Sequence, residues 1–288
     1  MFSAIDLHIH SKEGSDGHAS VESIYKIARD RGVRLLSITD HDNTEAVGKA
    51  AQLSEKYHIT FIAGIEFSVL HQGKELHLLG YGYDYTDLIL QESIQKLREY
   101  RDWRIGAIVE RVNGKLKGKG VHLLTDTDIT RIRRSAEGTV GRPHIAQYLV
   151  NKGIVRSVTE AFDKYLIDCD IPKKYLTLRE ARELMSGTGG QISLAHPNGQ
   201  HQSLRQFSPS IEAQLKVIDE LLPFLDGIEC YCPDHSVTEA RDFAFYAKRK
   251  NKMISCGSDC HQNPILLGTV VIPKDEEETI FTQFNRMH

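Results

Sequence analysis

The chain has 288 residues, enough for one large core and slightly long for a minimal single domain. Its 36 Lys+Arg against 39 Asp+Glu give a formal net charge of −3, so no overall basic excess points to tight nucleic-acid binding, and any attraction for phosphate has to be local. No run of about 18 apolar residues argues for a membrane span, and Met1 to Asp6 lacks the basic start and apolar stretch of a signal peptide, which makes a cytoplasmic location the default expectation.

In chain order, β-branched and apolar runs predict strands near 4–10, 35–39, 60–66, 75–82, 191–196, 227–231, 253–258 and 268–272. Helical patterns alternate with many of them. The first, 20–31, opens at Ser20 and stops before Gly32. The second, 44–57, has Ala46, Val47, Ala50, Ala51 and Leu53 at helical spacing. A third, 177–187, opens on the capping box Thr177-Leu178-Arg179-Glu180, and 210–222 and 236–250 complete the set. Such alternation predicts an α/β fold with a mostly parallel sheet or barrel. Residues 86–175 break the pattern. A long charged amphipathic stretch from Asp87 to about Val112 leads into a Gly/Lys-rich turn at 114–120, then helical patterns at 126–134, 143–151 and 157–166. This region reads as a helical insertion, leaving 1–85 and 176–288 as the α/β domain.

Fourteen histidines are present, several at predicted strand ends beside Asp or Glu. In Asp6-Leu7-His8-Ile9-His10, strand alternation puts Asp6, His8 and His10 on one face, where two imidazoles can hold one metal ion. Taken alone, the motif fits two hydrogen-bonded histidines equally well. Further along, Asp16 lies in a loop, and the 35–39 strand delivers Thr39-Asp40-His41-Asp42. Glu66 ends the next strand, and His77 sits on the one after it. His196-Pro197 and Ser258-Asp259-Cys260-His261 follow two later strands. Functional groups of parallel α/β architectures gather at the carboxyl ends of strands, so this recurrence predicts one metal site. Mixed imidazole and carboxylate ligands suit Mn²⁺, Fe²⁺ or Zn²⁺. Two ions sharing a bridging ligand lower the pKa of a bound water for attack on phosphorus. Asp6, Asp40 and Asp42 are candidates to orient the ligand imidazoles.

These motifs, from His8-x-His10 through Thr39-Asp40-His41, Glu66 and Ala195-His196-Pro197 to Gly257-Ser258-Asp259-x-His261, resemble those of the polymerase and histidinol phosphatase (PHP) superfamily. The insertion with Gly141-Arg142-Pro143-His144 is similar to the bacterial branch containing nucleotide 3′-phosphatases and 5′→3′ exoribonucleases. The resemblance implies a distorted (β/α)7 barrel, with the 86–175 helical domain inserted and capping the active site. It also implies two or three divalent ions, Mn²⁺ foremost. His8, His10, Glu66 and Asp259 would hold the first ion. Glu66, as the bridging ligand that positions the attacking hydroxide, would share the second with His77 and His196. Asp16, His41 and His261 would hold the third. Many superfamily members have histidine where this chain has Asp16, which makes the third site harder in character. Arg142, His144, Asp42 and Asn198 are the expected substrate contacts.

The expected substrate is a small phosphorylated one: a 3′,5′-bisphosphate nucleotide or 5′-phosphorylated RNA. No membrane and no obligate protein partner are expected. A cyclic sugar-phosphate phosphodiesterase or a histidinol-phosphate-type phosphatase is the alternative. A C–N hydrolase of the amidohydrolase type, which also opens on H-x-H, is the reading from a different class. Several features keep more than one reading at this point. Glu229 could orient a ligand, contact substrate or form a salt bridge. His201 could protonate a leaving group or lie in an ordinary loop. Arg131-Ile132-Arg133-Arg134 and the Lys-rich turn could guide a phosphate backbone or be solvated surface. Tyr81, Tyr83 and Tyr85 could stack a base or pack at a seam. The five cysteines read as buried and reduced, although C-x-C and C-x₃-C spacings could bind metal.

Overall fold

The structure, a computed structural model, describes residues 2–118, 120–136, 140–261 and 266–287. The chain divides into two compact units, Met1–Glu92 with Tyr175–His288, and Ser93–Lys174. The first contains a seven-stranded sheet in sequential order: β1 (Ile5–Asp6), β2 (Leu35–Ile38), β3 (Thr60–His71), β4 (Lys74–Tyr81), β5 (Gln191–Leu194), β6 (Gly227–Tyr231) and β7 (Met253–Cys256). Residues beyond the strand ends close it into a barrel. Leu7 N donates to Cys256 O at 3.0 Å, His10 N donates to Cys260 O at 3.2 Å, and Ile9 bridges Cys260 in parallel. Asp6 fastens the same seam, accepting from Ser258 N at 2.9 Å and Gly268 N at 2.8 Å. That closure tolerates no side chain at 257, because a Cβ on Gly257 would lie 2.2 Å from His8 Cβ.

All neighbouring strands are parallel except β4, which is antiparallel to β3 and β5. β3 and β4 form a hairpin through Gln72 (φ 48°) and Gly73 (φ 76°), the two positive-φ positions of a primed turn. β3 runs well past its predicted end, and Glu66 sits inside it opposite Leu79. Reversal of β4 explains why His77, near its start, meets ligands from the carboxyl ends of the parallel strands. Helices α1 (Val21–Arg31) and α2 (Val47–Tyr57) cover one side of the barrel, burying Ile24, Tyr25, Ala28 and Ala50 with Leu36 and Ile38. The ends of α1 follow the sequence signals: Ser20 caps it, and Gly32 ends it in the left-handed region at φ 77°; α2 starts at Val47, three residues later than expected, with no side-chain cap.

The helical unit has its own core. It takes in the greater part of α3 (Leu88–Leu116), then α4 (Asp126–Ser135), α5 (Arg142–Asn151), α6 (Val158–Ala161) and a five-residue π-helical turn, Phe162–Leu166. Ile105, Ile108, Val112, Ile132, Ile145, Leu149 and Leu166 are fully buried within it. The barrel resumes with α7 (Leu178–Gly187), α8 (Ile211–Leu221) and α9 (Val237–Arg249). Two expectations fail near the C-terminus. Residues 268–272 are not a strand: Gly268 turns at φ 70°, and Val271, 84% exposed, has no sheet to join. The chain instead ends in α10 (Lys274–Phe284), whose polar sequence hides its short apolar face, Ile280 and Phe284. No helix among the described residues is long and apolar enough to cross a membrane.

Gly257→Ala is expected to destabilise the barrel by about 1–3 kcal/mol or more, because the displaced atoms are backbone and Cβ of His8. A denaturant midpoint equal to that of the unmodified protein would show that the seam is not tightly packed.

Candidate metal centre

The barrel rim brings all nine predicted ligands together. Glu66 is fully buried and is their hub. Its Oε1 lies 3.3 Å from His8 Nε2, 3.0 Å from His77 Nδ1 and 3.3 Å from His196 Nε2. Its Oε2 lies 3.2 Å from His10 Nε2 and 2.9 Å from His41 Nδ1. Asp259 Oδ1 lies 3.2 Å from both His8 Nε2 and His10 Nε2. Asp16 Oδ1 faces His10 Nδ1 at 3.9 Å, His41 Nε2 at 3.8 Å and His261 Nε2 at 3.5 Å.

Three groups of donors emerge: His8, His10, Glu66 and Asp259; His41, Glu66 and His77; and His10, Asp16, His41 and His261. The first matches the set inferred from the sequence. In the second, His41 stands beside Glu66 and His77, and His196 reaches the Glu66 Oε1 that also faces His77. His41 thus presents one ring nitrogen to each of two groups, whereas the sequence reading assigned it only to the third. The groups also differ in exposure. The side chains of His8, His10 and Glu66 are at 0%, but Asp16 is at 49%, Asp259 at 34% and His261 at 29%, so the third group, together with Asp259, faces solvent.

The donor set fits a cation. Among the described residues, buried side-chain atoms making no hydrogen bond include His8 Nε2, His10 Nε2, His41 Nδ1, His196 Nδ1, Glu66 Oε2 and Asp259 Oδ1. Leaving so many buried polar atoms unsatisfied is costly, and five of these six line the Glu66 cluster. Imidazole nitrogens with hard carboxylate oxygens fit borderline divalent ions.

Neighbouring groups fix how the rings point. Glu229, left open by the sequence, accepts from His8 Nδ1 at 3.1 Å and from His196 N at 2.6 Å, which turns His8 Nε2 toward Glu66 and Asp259. Asp40 acts through serines. It accepts from Ser11 N at 2.7 Å and from Ser15 Oγ at 2.6 Å, and Ser15 Oγ lies 3.2 Å from His10 Nδ1. His77 Nε2 faces Glu75 at 3.6 Å, and Glu75 also accepts from the Tyr175 hydroxyl at 2.9 Å. The parts played by Ser15 and Glu75 went unread, though their closeness in sequence to Asp16 and His77 was the available signal. Asp6, expected to orient an imidazole, bonds backbone amides at the seam instead. Burial pushes its carboxyl up to about 6, against the pull of those bonds.

Three of the seven non-glycine residues with positive φ among the described residues lie here. Asp42 (φ 45°), His196 (φ 24°) and Asp259 (φ 49°) all sit in the left-handed region. Asp42 is buried, and its Oδ1 accepts from Ser68 N at 3.1 Å, which ties the strand containing Glu66. Asn198 is likewise buried. Its side chain donates to Glu239 and accepts from Arg205 Nε at 2.8 Å and Gln214 Nε2 at 2.9 Å, bracing the turn after His196. His201 is exposed. Tyr81 and Tyr83 are buried and donate to Leu7 O at 2.9 Å and Gly64 O at 2.7 Å, so neither is placed to stack a base. The cysteines are all buried and free. In the helical unit, Arg142 Nη1 pairs with Asp170 at 2.7 Å, and His144 Nδ1 accepts from Gly141 N at 3.1 Å, capping α5.

A barrel rim carrying clustered histidines and carboxylates defines a metal-dependent hydrolase. The PHP domain family model matches residues 6–220, and the chain belongs to that family. It is 29% identical over 260 residues to a 3′,5′-nucleoside bisphosphate phosphatase of Chromobacterium violaceum, covering 89% of this chain and 87% of that protein. It is 28% identical over 267 residues to the 5′-3′ exoribonuclease Rnm of Escherichia coli, covering 89% and 85%. A solved structure from Bifidobacterium adolescentis shares the fold at TM-score 0.75 and 24% identity, over 97% of this chain and 96% of that one. The protein is a metal-dependent phosphoesterase.

Charge in the cluster makes a pH prediction. Burial disfavours the imidazolium forms, but Asp259 and Glu66 overcome it at His10 and raise its pKa to about 10. Glu66 and Glu75 do the same at His77, to about 9. In metal-free protein these raised values contribute stability that is complete below the ordinary value of about 6.5 and lost as pH rises through about 9–10. The melting temperature of EDTA-treated protein should therefore fall between pH 7 and 10, and less so with Mn²⁺ present. A rise over that interval would contradict the protonation pattern.

Proposed function

We propose that the protein hydrolyses a phosphate ester on a nucleotide, either a 3′,5′-bisphosphate nucleotide or the 5′ end of an RNA. One observation carries this reading: the nine ligands contain only three carboxylates, Asp16, Glu66 and Asp259, against six imidazoles. With two or three divalent ions, such a set keeps a local positive excess that favours an anionic substrate. The names of the two relatives support a nucleotide or RNA as the esterified partner.

Divalent ions in such a set lower the pKa of water and offset charge on phosphate oxygens. The chain's own residues supply position. Glu66 gathers the two inner groups around one carboxylate. Glu229, Ser15 with Asp40, and Glu75 orient His8, His10 and His77, so that their ligand nitrogens need no reorganisation. The solvent-facing group of Asp16, His41 and His261 is the side from which substrate enters. Burial, with His10 close by, lowers the His261 pKa to about 4 and keeps the ring neutral, as a ligand must be.

Manganese-loaded protein is expected to release phosphate from 3′,5′-bisphosphate nucleotides or mononucleotides from 5′-phosphorylated RNA, in preference to cyclic sugar phosphates and histidinol phosphate. Release from none of them would overturn the proposal. Glu229→Gln should lower metal affinity or kcat by about 10–100-fold. Unchanged values for both would remove Glu229 from its positioning role.

A further inference from the structure

The modest net charge of the chain conceals a division. Residues 93–174 hold 17 Lys+Arg and 10 Asp+Glu, a net +7, while the remaining residues hold 19 and 29, a net −10. On the basic unit, Trp103 of α3 is 54% exposed and is the only tryptophan in the sequence. Its ring centroid lies 5.1 Å from that of Tyr100, with the planes tilted by 46°. The Tyr100 hydroxyl donates to Pro172 O at 3.0 Å, which brings the following Lys173-Lys174 close to the pair. From α4, Arg133 Nη2 donates to Asp102 O at 2.8 Å, beside Trp103. Arg131 and Arg134 are exposed on the same helix, while Ile132 between them is buried. Lys119, in the Lys-rich turn, lies outside the described residues.

An indole left half in water, paired with a tyrosine and with Arg133 beside it, matches what single strands require. Bases stack on aromatic faces, and phosphates take the neighbouring charges. A solvated surface accounts for the charges but not for the exposed indole of Trp103 beside the half-buried Tyr100 among them. We propose that this face of the helical unit binds single-stranded RNA, with a base on Trp103 and Tyr100 and phosphates on Arg133, Arg134 and Lys174. The proposal builds on the phosphoesterase reading by naming RNA as the substrate class, but binding is measurable without turnover.

The test uses the full chain in EDTA and a ten-nucleotide single-stranded RNA, followed by tryptophan fluorescence and by anisotropy of labelled RNA at several salt concentrations. RNA is expected to quench Trp103 fluorescence. Trp103→Ala should weaken binding about ten-fold, and Trp103→Phe should retain most of the affinity. Arg133→Ala with Arg134→Ala should lower the salt slope by about 1–2. Hydrolysis of an aryl phosphate by the manganese-loaded variants should match that of the unmodified protein, showing that they are folded. Absence of quenching, or unchanged affinity in Trp103→Ala, overturns the proposal. So does a changed oligomeric state in Trp103→Ala with RNA affinity retained, which would mark the face as a protein contact. Failure of unmodified protein to hydrolyse the aryl phosphate would count against the phosphoesterase reading and leave the quenching result to decide the RNA surface.

Discussion

The two oxygens of Glu66 have no access to solvent and lie within 3.3 Å of nitrogens from His8, His10, His41, His77 and His196. A carboxylate in that position is held far below its ordinary pKa, since the surrounding imidazoles overcome the cost of burial. Charges so deep are tolerated only when paired, either with protons on the rings or with cations between them. Much of the barrel serves to bring the five rings to one carboxylate. They come from the segment after β1, the turn after β2, the start of β4 and the turn after β5.

Several structural features follow from that requirement. β4 must run backwards for His77 to meet its partners, and the hairpin with β3 makes this possible. The seam between His8 and Gly257 must close tightly, because His8 and Asp259 both contribute to one donor group. Left-handed backbone at His196 and Asp259 aims ligands that a relaxed strand end would direct elsewhere. Glu229 ties two of these needs together by binding His8 and the His196 amide at once.

Much of this was legible in the sequence, for identifiable reasons. Ligands at strand ends announce themselves through local pairs such as His8-Ile9-His10 and Asp259-Cys260-His261, and helix caps such as Thr177 with Glu180 are short-range signals. Long-range relations were not legible. The direction of β4 depends on a two-residue turn whose Gln72-Gly73 sequence is only moderately diagnostic. The double role of His41 needs the distances to both Glu66 and Asp16. Asp6 looked like an imidazole partner by alternation, but its side chain reaches amides at 258 and 268, more than 250 residues away. The run Val270-Val271-Ile272 had strand composition but no neighbouring strand to bond.

The bridging position of Glu66 is the central structural claim, and metal stoichiometry tests it most directly. Bound Mn²⁺ should be counted by equilibrium dialysis and elemental analysis for the unmodified protein and for Glu66→Gln, which keeps the size of the side chain and removes its charge. The unmodified protein is expected to hold two or more ions per chain. Glu66→Gln should lose at least one of them and weaken the rest by about 10-fold or more. Equal stoichiometry and affinity in the two proteins would contradict a shared carboxylate at the heart of the cluster.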